Sequence, residues 1–410
     1  MSTDLPVSRF CTFCSLLCEH RSDDQNFGAT FCSRRNRELD ALRSWSESRD
    51  TLASLAACEG VLEEAKRRLA RSKDLLVTGR MRSVGTSRGA LRIAQRHHAT
   101  IDCWESDAAF ERISAFQRSG STTVSLAEAR DISELFLVIG GDSLIEDYPR
   151  LPAVLSRGAS TPVLLLGSWS REGCKPWLDA GFDVLAIDTP IEDLPRSLSE
   201  ASRFESIAGW DSQTSRWLHA SGYATAVWSM KHLNVQHGDL WYESMMGWIA
   251  HRNETHRVGG LCLCDLESTF HQVCTWWTGF PGRIRCTADG DRYDPTRFSS
   301  QRWLDEHRAA PSATGSATSD SSTAILWIDD SFDDPPAAVF ESGHACIAIS
   351  PRSPGSHPRT LWLPCQIAGR GSDSEFFRGD HAVLFSGQDP LPVAHDLPSA
   401  SQWLRGLIEP

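Results

Sequence analysis

The chain of 410 residues is 40% apolar and 23% charged, enough apolar material to bury several cores and too much for a disordered protein. A net charge of −12 leaves no basic surplus to neutralise phosphates, so neither nucleic acid nor an anionic membrane is an expected partner. No basic-then-apolar leader opens the chain and no run of about eighteen apolar residues interrupts it, so a cytoplasmic protein is expected. Its thirteen cysteines then read as reduced thiols or metal ligands.

Residues 1–48 are rich in cysteine and charge with little apolar periodicity, which suits a small lobe whose order depends on a bound ion or cluster. A first α/β domain is expected over 49–208. It opens with Leu52, Leu55, Cys58, Leu62, Ala65 and Leu69 spaced three to four apart, an amphipathic helix, followed by a strand at Leu75, Leu76 and Val77. The spacing predicts a helix from Gly89 to His97, a short strand from Thr100 to Cys103, and a fully buried parallel strand from Leu135 to Ile139 closing on Gly140-Gly141-Asp142. Strands at 162–166 and 184–187 and a helix over 190–203 complete that domain.

A second α/β region is expected over 209–308, with helices near 239–251 and 268–277 and a strand from Val258 to Cys262. Residues 309–323, AAPSATGSATSDSST, have no apolar face and read as a linker. A C-terminal α/β segment over 324–410 carries strands at 324–328, 345–349 and 361–363 and a final helix over 398–408.

The strongest chemical signal is Cys11, Cys14, Cys18 and Cys32, spaced C-x2-C-x3-C-x13-C. Soft thiolates close in sequence can wrap one face of a cubane while a fourth completes it, which points to a 4Fe-4S cluster. Zinc is the competitor, with His20 able to replace one sulfur, although the spacing does not copy paired CxxC knuckles. Four free thiols are the third reading.

The opening CTFCSLLCEHRSDD with FCSRR resembles the cysteine lobe of the molybdopterin oxidoreductases, and specifically that of the B subunit of formylmethanofuran dehydrogenase. The resemblance continues in order through GSTTVSLAEARDISELFLVIGGDSLIEDYPRL and TWWTGFPGRIRCTADGDRYDPTRFS, and more loosely through LWLPCQIAGRGSDSEFFRGDHAVLF. It implies a reduced molybdopterin-oxidoreductase architecture, with several Rossmann-like α/β units and a small N-terminal cysteine lobe.

Two complexes use such a subunit. In the dehydrogenase it carries a tungsten- or molybdenum-pterin centre that interconverts carbon dioxide and formate. In the formyltransferase/hydrolase complex it holds together formyltransferase and amidohydrolase-like chains that pass a formyl group from tetrahydromethanopterin to a methanofuran-type carrier and release formate.

Departures from the dehydrogenase pattern favour the second. In dehydrogenases of this family a metal-ligating Cys or selenocysteine follows the strand-ending Asp by a few residues, with His-Gly-Pro after it. Here the place reads CWESDAAFER, with Cys103 directly after Asp102. The cysteine lobe is short, and LCLCDLESTFHQVCTWW lacks the Arg, Gly and Asn expected near pterins. The expected role is a non-catalytic scaffold without metal-pterin. The dehydrogenase subunit, and an unrelated iron-sulfur or zinc protein of α/β class, are the alternatives.

Other features weigh less. Cys262, Cys264, Cys274 and Cys286 sit at apolar positions and read as small hydrophobes. Gly140-Gly141-Asp142 lacks a following Gly-x-x-Gly, and His97, His98, His251, His256 and His271 lack a metal-ligand spacing. Six tryptophans, Trp217, Trp228, Trp241, Trp248, Trp276 and Trp277, crowd the middle third, and part of this set is expected at contacts with partner subunits.

Overall fold

The computed structural model describes residues 8–18, 32–47, 55–158, 160–203, 210, 212–264, 268–307, 323–370, 374–381, 384–388 and 397–409. The linker expected over 309–323 lies outside them except for Thr323, as does His20.

Chain order begins with β1 (Ser8–Arg9), α1 (Ser33–Glu47), α2 (Leu55–Arg71), β2 (Asp74–Arg80), α3 (Val84–Arg96), β3 (Thr100–Ile101), α4 (Asp107–Ser119) and α5 (Leu126–Ile132). It continues with β4 (Leu135–Gly141), α6 (Asp142–Asp147), α7 (Leu151–Leu155), β5 (Pro162–Ser168), α8 (Arg171–Asp179), β6 (Asp183–Ile187), α9 (Leu194–Arg203) and α10 (Ser212–Ala220). Next come β7 (Tyr223–Trp228), α11 (Met230–Leu233), α12 (Gly238–Arg252), β8 (Arg257–Cys262), α13 (Ser268–Thr278), β9 (Ile284–Thr287), β10 (Gly290–Tyr293) and α14 (Ser300–His307). The last elements are β11 (Thr323–Asp329), α15 (Ala337–Phe340), β12 (Ala345–Ser350), β13 (Thr360–Pro364), β14 (Ser374–Phe377), β15 (Leu384–Gln388) and α16 (Ala400–Ile408).

The strands form two large sheets and a small one. The seven-stranded sheet runs β10-β9-β3-β2-β11-β12-β13; it is parallel from β3 to β13, and β9 is antiparallel to both β3 and β10. The five-stranded sheet runs β6-β5-β4-β7-β8 and is parallel throughout. β1, β15 and β14 make the third.

Both large sheets are buried on two faces, as parallel strands with near-continuous apolar runs require. In β2 and β11, Leu75, Val77, Leu326 and Ile328 face one core with α3 and α16, while Leu76, Ile325 and Trp327 face another under α14 and α15. In β4 the same alternation sends Leu135, Leu137 and Ile139 to one side and Phe136 and Val138 to the other.

The expected α/β class is what the chain adopts. Strand pairing, however, cuts across the linear division into 49–208, 209–308 and 324–410. β2 and β3 from the first segment join β9 and β10 from the second and β11, β12 and β13 from the last in one sheet. Periodicity reports which face of a strand is apolar, and pairing partners are chosen by packing between segments distant in sequence. The assigned strand ends at Ile101, but the Asp102 and Trp104 amides still donate to the Val77 and Gly79 carbonyls of β2, so the expected extent to Cys103 is met by backbone pairing, with the Asp102 carboxylate accepting from the amide of Ser300.

Each large sheet has one point where successive strands depart in opposite directions, between β2 and β11 and between β4 and β7. Ligands of such folds bind outside the carboxyl ends of the strands at these points. At the first point the strands close tightly over Gly79, whose φ of +147° suits glycine alone. A Cβ there would stand 1.8 Å from the carbonyl oxygen of Ile328.

Candidate functional site

The cysteine lobe is a tight loop. The Cys11 amide donates to the Cys18 carbonyl at 3.0 Å and the Leu17 amide to that of Cys14 at 3.2 Å, with Leu17 at φ +44°. Cys32 sits at the start of α1, where its carbonyl accepts from Asn36. Arg34, on the first turn of that helix, anchors the lobe to the five-stranded unit through the Asp147 carbonyl at 2.9 Å. Asp147 is also approached by Lys231 and His232, which with Arg34 hold its carboxyl well below the usual range against the effect of burial.

Burial pushes the Cys18 thiol up, and Cys14 and Cys32 push it further, while Arg150 opposes them. Cys11 packs with Phe13 and Phe332. Among the described residues no group of three or more His, Cys, Asp or Glu is disposed as a metal shell. The donor type suits a soft metal or cluster, but the thiols do not already form its shell.

At the β2–β11 crossover the chain supplies its own anion. Asp330, just past the end of β11, accepts from the amides of Arg82 and Ser83 at 2.8 and 3.2 Å and from Ser83 Oγ at 2.8 Å. Ser83 is the N-cap of α3, so the carboxylate occupies the place at a helix N-terminus where a phosphate would be held.

Around it, Arg80 pairs with Asp329 at 3.2 Å, and Arg82 pairs with Asp333. Burial raises Asp329 to about 6, only partly offset by Arg80. Burial also acts to raise Asp333, but Arg82 and Arg80 bring it down to about 2. Beside Asp330 a polar cleft of about 210 Å³ opens between the starts of α3 and α16, lined among others by Thr86, Ser374, Ser399 and Arg405.

The neighbouring strand end is filled as well. Asp102 accepts from Ser300 N at 2.8 Å and Ser106 Oγ at 3.1 Å and faces Arg283 Nε at 3.6 Å. Cys103 is wholly buried, and its thiol donates back to the Gly79 carbonyl at 3.4 Å. Trp104 packs edge-on against Trp327 at 5.8 Å.

A metal-pterin centre of the kind found in dehydrogenases would need an open anion site and a thiolate aimed outward. Asp330 takes the first and the Cys103–Gly79 contact removes the second, so the residues at this crevice do not fit that group.

The β4–β7 crossover is similarly engaged. Gly141 precedes a helix of six residues, and the Asp142 carboxylate accepts from Ser170 N at 3.0 Å at the start of α8.

The remaining cysteines divide. Cys274 and Cys286 lie in the core between α3 and the seven-stranded sheet, their thiols pushed up by burial, as small hydrophobes do. Cys262 and Cys264 lie in the core beside the five-stranded sheet, where the Cys264 thiol donates to the Cys262 carbonyl at 3.8 Å. His271 is a core histidine: Nδ1 meets the Pro281 carbonyl at 2.6 Å, and burial lowers its pKa to about 4. Of the tryptophans, Trp228, Trp241 and Trp248 are core, whereas Trp276 and Trp277 are 60% and 40% exposed.

No family profile matches the sequence, and no curated protein does. Among solved structures, the chain is similar to a chain of the formyltransferase/hydrolase complex (FhcABCD) from Methylorubrum extorquens, determined in complex with methylofuran. The match has 20% sequence identity and a TM-score of 0.69, over 87% of this chain and 96% of that one. The two chains share a fold. Nearly the whole of each takes part, so the likeness extends across both large sheets rather than one α/β unit.

Sequence reasoning missed Asp330 altogether. Its one sequence signal is the run Asp329-Asp330 directly after an apolar strand, which says nothing about the helix it caps some 247 positions away. Among the described residues no helix is long and apolar enough to cross a membrane.

Proposed function

We propose that the chain is a non-catalytic scaffold subunit of a formyltransferase/hydrolase-type complex in methanofuran-linked one-carbon metabolism, related to the B subunit of formylmethanofuran dehydrogenase. The observation that carries this reading is Asp330 seated on the N-terminus of α3, in the crevice where a cofactor-bearing relative would need an open anion site. Kinship of fold with a chain of the FhcABCD complex supports it.

The partners on this reading are formyltransferase and amidohydrolase-like chains, and the compartment is the cytoplasm. The cysteine lobe belongs to the same proposal, with Cys11, Cys14, Cys18 and Cys32 as ligands of a 4Fe-4S cluster or, failing that, zinc.

The deciding experiment is anaerobic purification from the native host with whatever copurifies, followed by elemental analysis for tungsten and molybdenum and identification of the companion chains. Copurifying formyltransferase and amidohydrolase-like chains without tungsten or molybdenum is the expected result. Stoichiometric tungsten or molybdenum would make the chain a redox subunit and overturn the reading.

A further inference from the structure

Four elements distant in sequence bring apolar groups and cations to one stretch of surface. α13 ends on the exposed Trp276 and Trp277, and Leu384 at the start of β15 is 48% exposed. Leu384 lies directly opposite Phe377 of β14 in the antiparallel pair, so the two side chains share a face. Phe377 is edge-on to Trp276 at 5.0 Å, and its amide donates to Thr269 Oγ1 of α13 at 3.0 Å, which fixes the strand against the helix. The indoles therefore stand on paired and packed elements rather than on a loop.

The fourth element, α3, supplies the charge. Arg88 and Arg92 are exposed and one turn apart, and each guanidinium stands 5.5 Å from the Trp277 ring. Arg96 continues the row and donates to the Ile408 carbonyl. Like charges at this spacing repel one another. Arg80, Arg82 and Arg118 each face a carboxylate. Arg88 and Arg92 do not: among the described residues neither has one within 4.0 Å. A guanidinium held beside an indole is weakly hydrated and keeps its fork of N–H donors in one plane, ready for a planar anion.

The cations and the apolar centre together select the occupant. Two copies related by a two-fold axis would set one arginine row against its own equivalent. A nucleic acid or an anionic membrane needs more phosphate contacts than this row supplies on a chain of net charge −12, and it would leave the indoles uncovered. A protein segment with carboxylates beside apolar side chains satisfies both parts.

We propose that Trp276, Trp277, Leu384, Arg88 and Arg92 dock an acidic and apolar segment of a companion subunit. Carboxylates about 6 Å apart, the rise over four helical residues, meet Arg88 and Arg92. An apolar side chain beside them covers the indoles and Leu384. Such a companion exists only if the chain is the complex subunit proposed above, and the test separates the two.

The test uses the full chain in the assembly purified from the native host. Arg92→Lys keeps the charge and supplies an amine, which a water-soluble carbodiimide joins to a carboxylate in contact with it. The expected product is an amide between position 92 and an Asp or Glu of a companion chain, identified by peptide mass spectrometry. Its yield should fall at least about fivefold when the coupling is done in 1 M salt. In the double variant Arg88→Glu, Arg92→Glu, companion chains should dissociate at least about tenfold faster, while the circular dichroism of the isolated chain matches that of the parent.

Companions that copurify while position 92 couples to none of them, or only to this chain or a second copy of it, overturn the docking and leave the scaffold reading standing. Unchanged dissociation in the double variant does the same. A chain that purifies without companions overturns both.

Discussion

Asp330 and Ser83 are 247 positions apart and hold the central crossover shut, the carboxylate accepting from both the amide and the hydroxyl of the serine at 3.2 and 2.8 Å. Replacing Asp330 by Ala removes a charge-assisted cap from α3 and leaves the Arg82 and Ser83 amides without their partner. The cost should be about 2 kcal/mol of folding stability, measured by urea unfolding. The vacated position should also accept an external anion, so inorganic phosphate should raise the melting temperature of Asp330→Ala and leave the native protein unmoved. A variant as stable as the parent and indifferent to phosphate would show that the carboxylate does not fill an anion site.

Asp329 and Asp333 make opposite contributions to pH dependence. With Asp329 raised to about 6 from 3.8, the folded state binds its proton more tightly than the unfolded chain, so this residue's contribution to stability falls as pH rises from 3.8 to about 6. The amount is ~3 kcal/mol at most. Asp333, lowered to about 2, contributes stability that is present above 3.8 and lost as pH falls toward 2. Asn at position 329 can still accept from Ser331, so Asp329→Asn should flatten the upper slope and spare the lower one. Unfolding free energies measured from about pH 3 to about pH 7 test this, and unchanged slopes in the variant would remove Asp329 as the source.

Much of the scaffold was readable from local pattern. The run Leu135 to Ile139 ending in two glycines could hardly be anything but a doubly covered parallel strand, and β4 is that strand. The helix at 268–277 and the strand ending at Cys262 were readable for the same reason, since each buries a face wide enough to leave a period. The β9–β10 hairpin was not readable: its strands are four residues each, and β10 carries Asp291 and Arg292 at a sheet edge.

Nor could pattern show that Asp330 would meet Ser83 or that Gly379 would meet Cys264. Both are meetings of segments more than a hundred residues apart, decided by sheet order and by glycines that permit close approach. The cysteines at 262 and 264 look apolar because their neighbours in sequence are, and the core they join is apolar as well.

Trp276 and Trp277 bear on assembly. They project from the end of α13, with Trp276 edge-on to Phe377 at 5.0 Å and the guanidinium groups of Arg88 and Arg92 each 5.5 Å from the Trp277 ring. Two exposed indoles flanked by two cations have the composition of an interface anchor and contribute little to an isolated chain. The double variant Trp276→Ala, Trp277→Ala should therefore lose at most ~1 kcal/mol of stability and yet fail to copurify with companion chains. Full retention of those chains would place the subunit contacts elsewhere on the surface.

The cysteine lobe offers the last test. Burial and the nearby Cys14 and Cys32 disfavour a thiolate at Cys18, and a bound cation is the natural counterweight, since metal binding displaces the thiol protons. If the lobe holds a cubane, anaerobically purified protein should contain about four irons and four acid-labile sulfides per chain. A zinc site should instead give about one zinc and no sulfide. Cys18→Ser should abolish whichever is present, and a strong chelator should lower the melting temperature of the parent while leaving that of the variant unchanged. Iron and zinc both far below one per chain, with all four thiols open to alkylation in the native protein, would leave Cys11, Cys14, Cys18 and Cys32 as ordinary free cysteines.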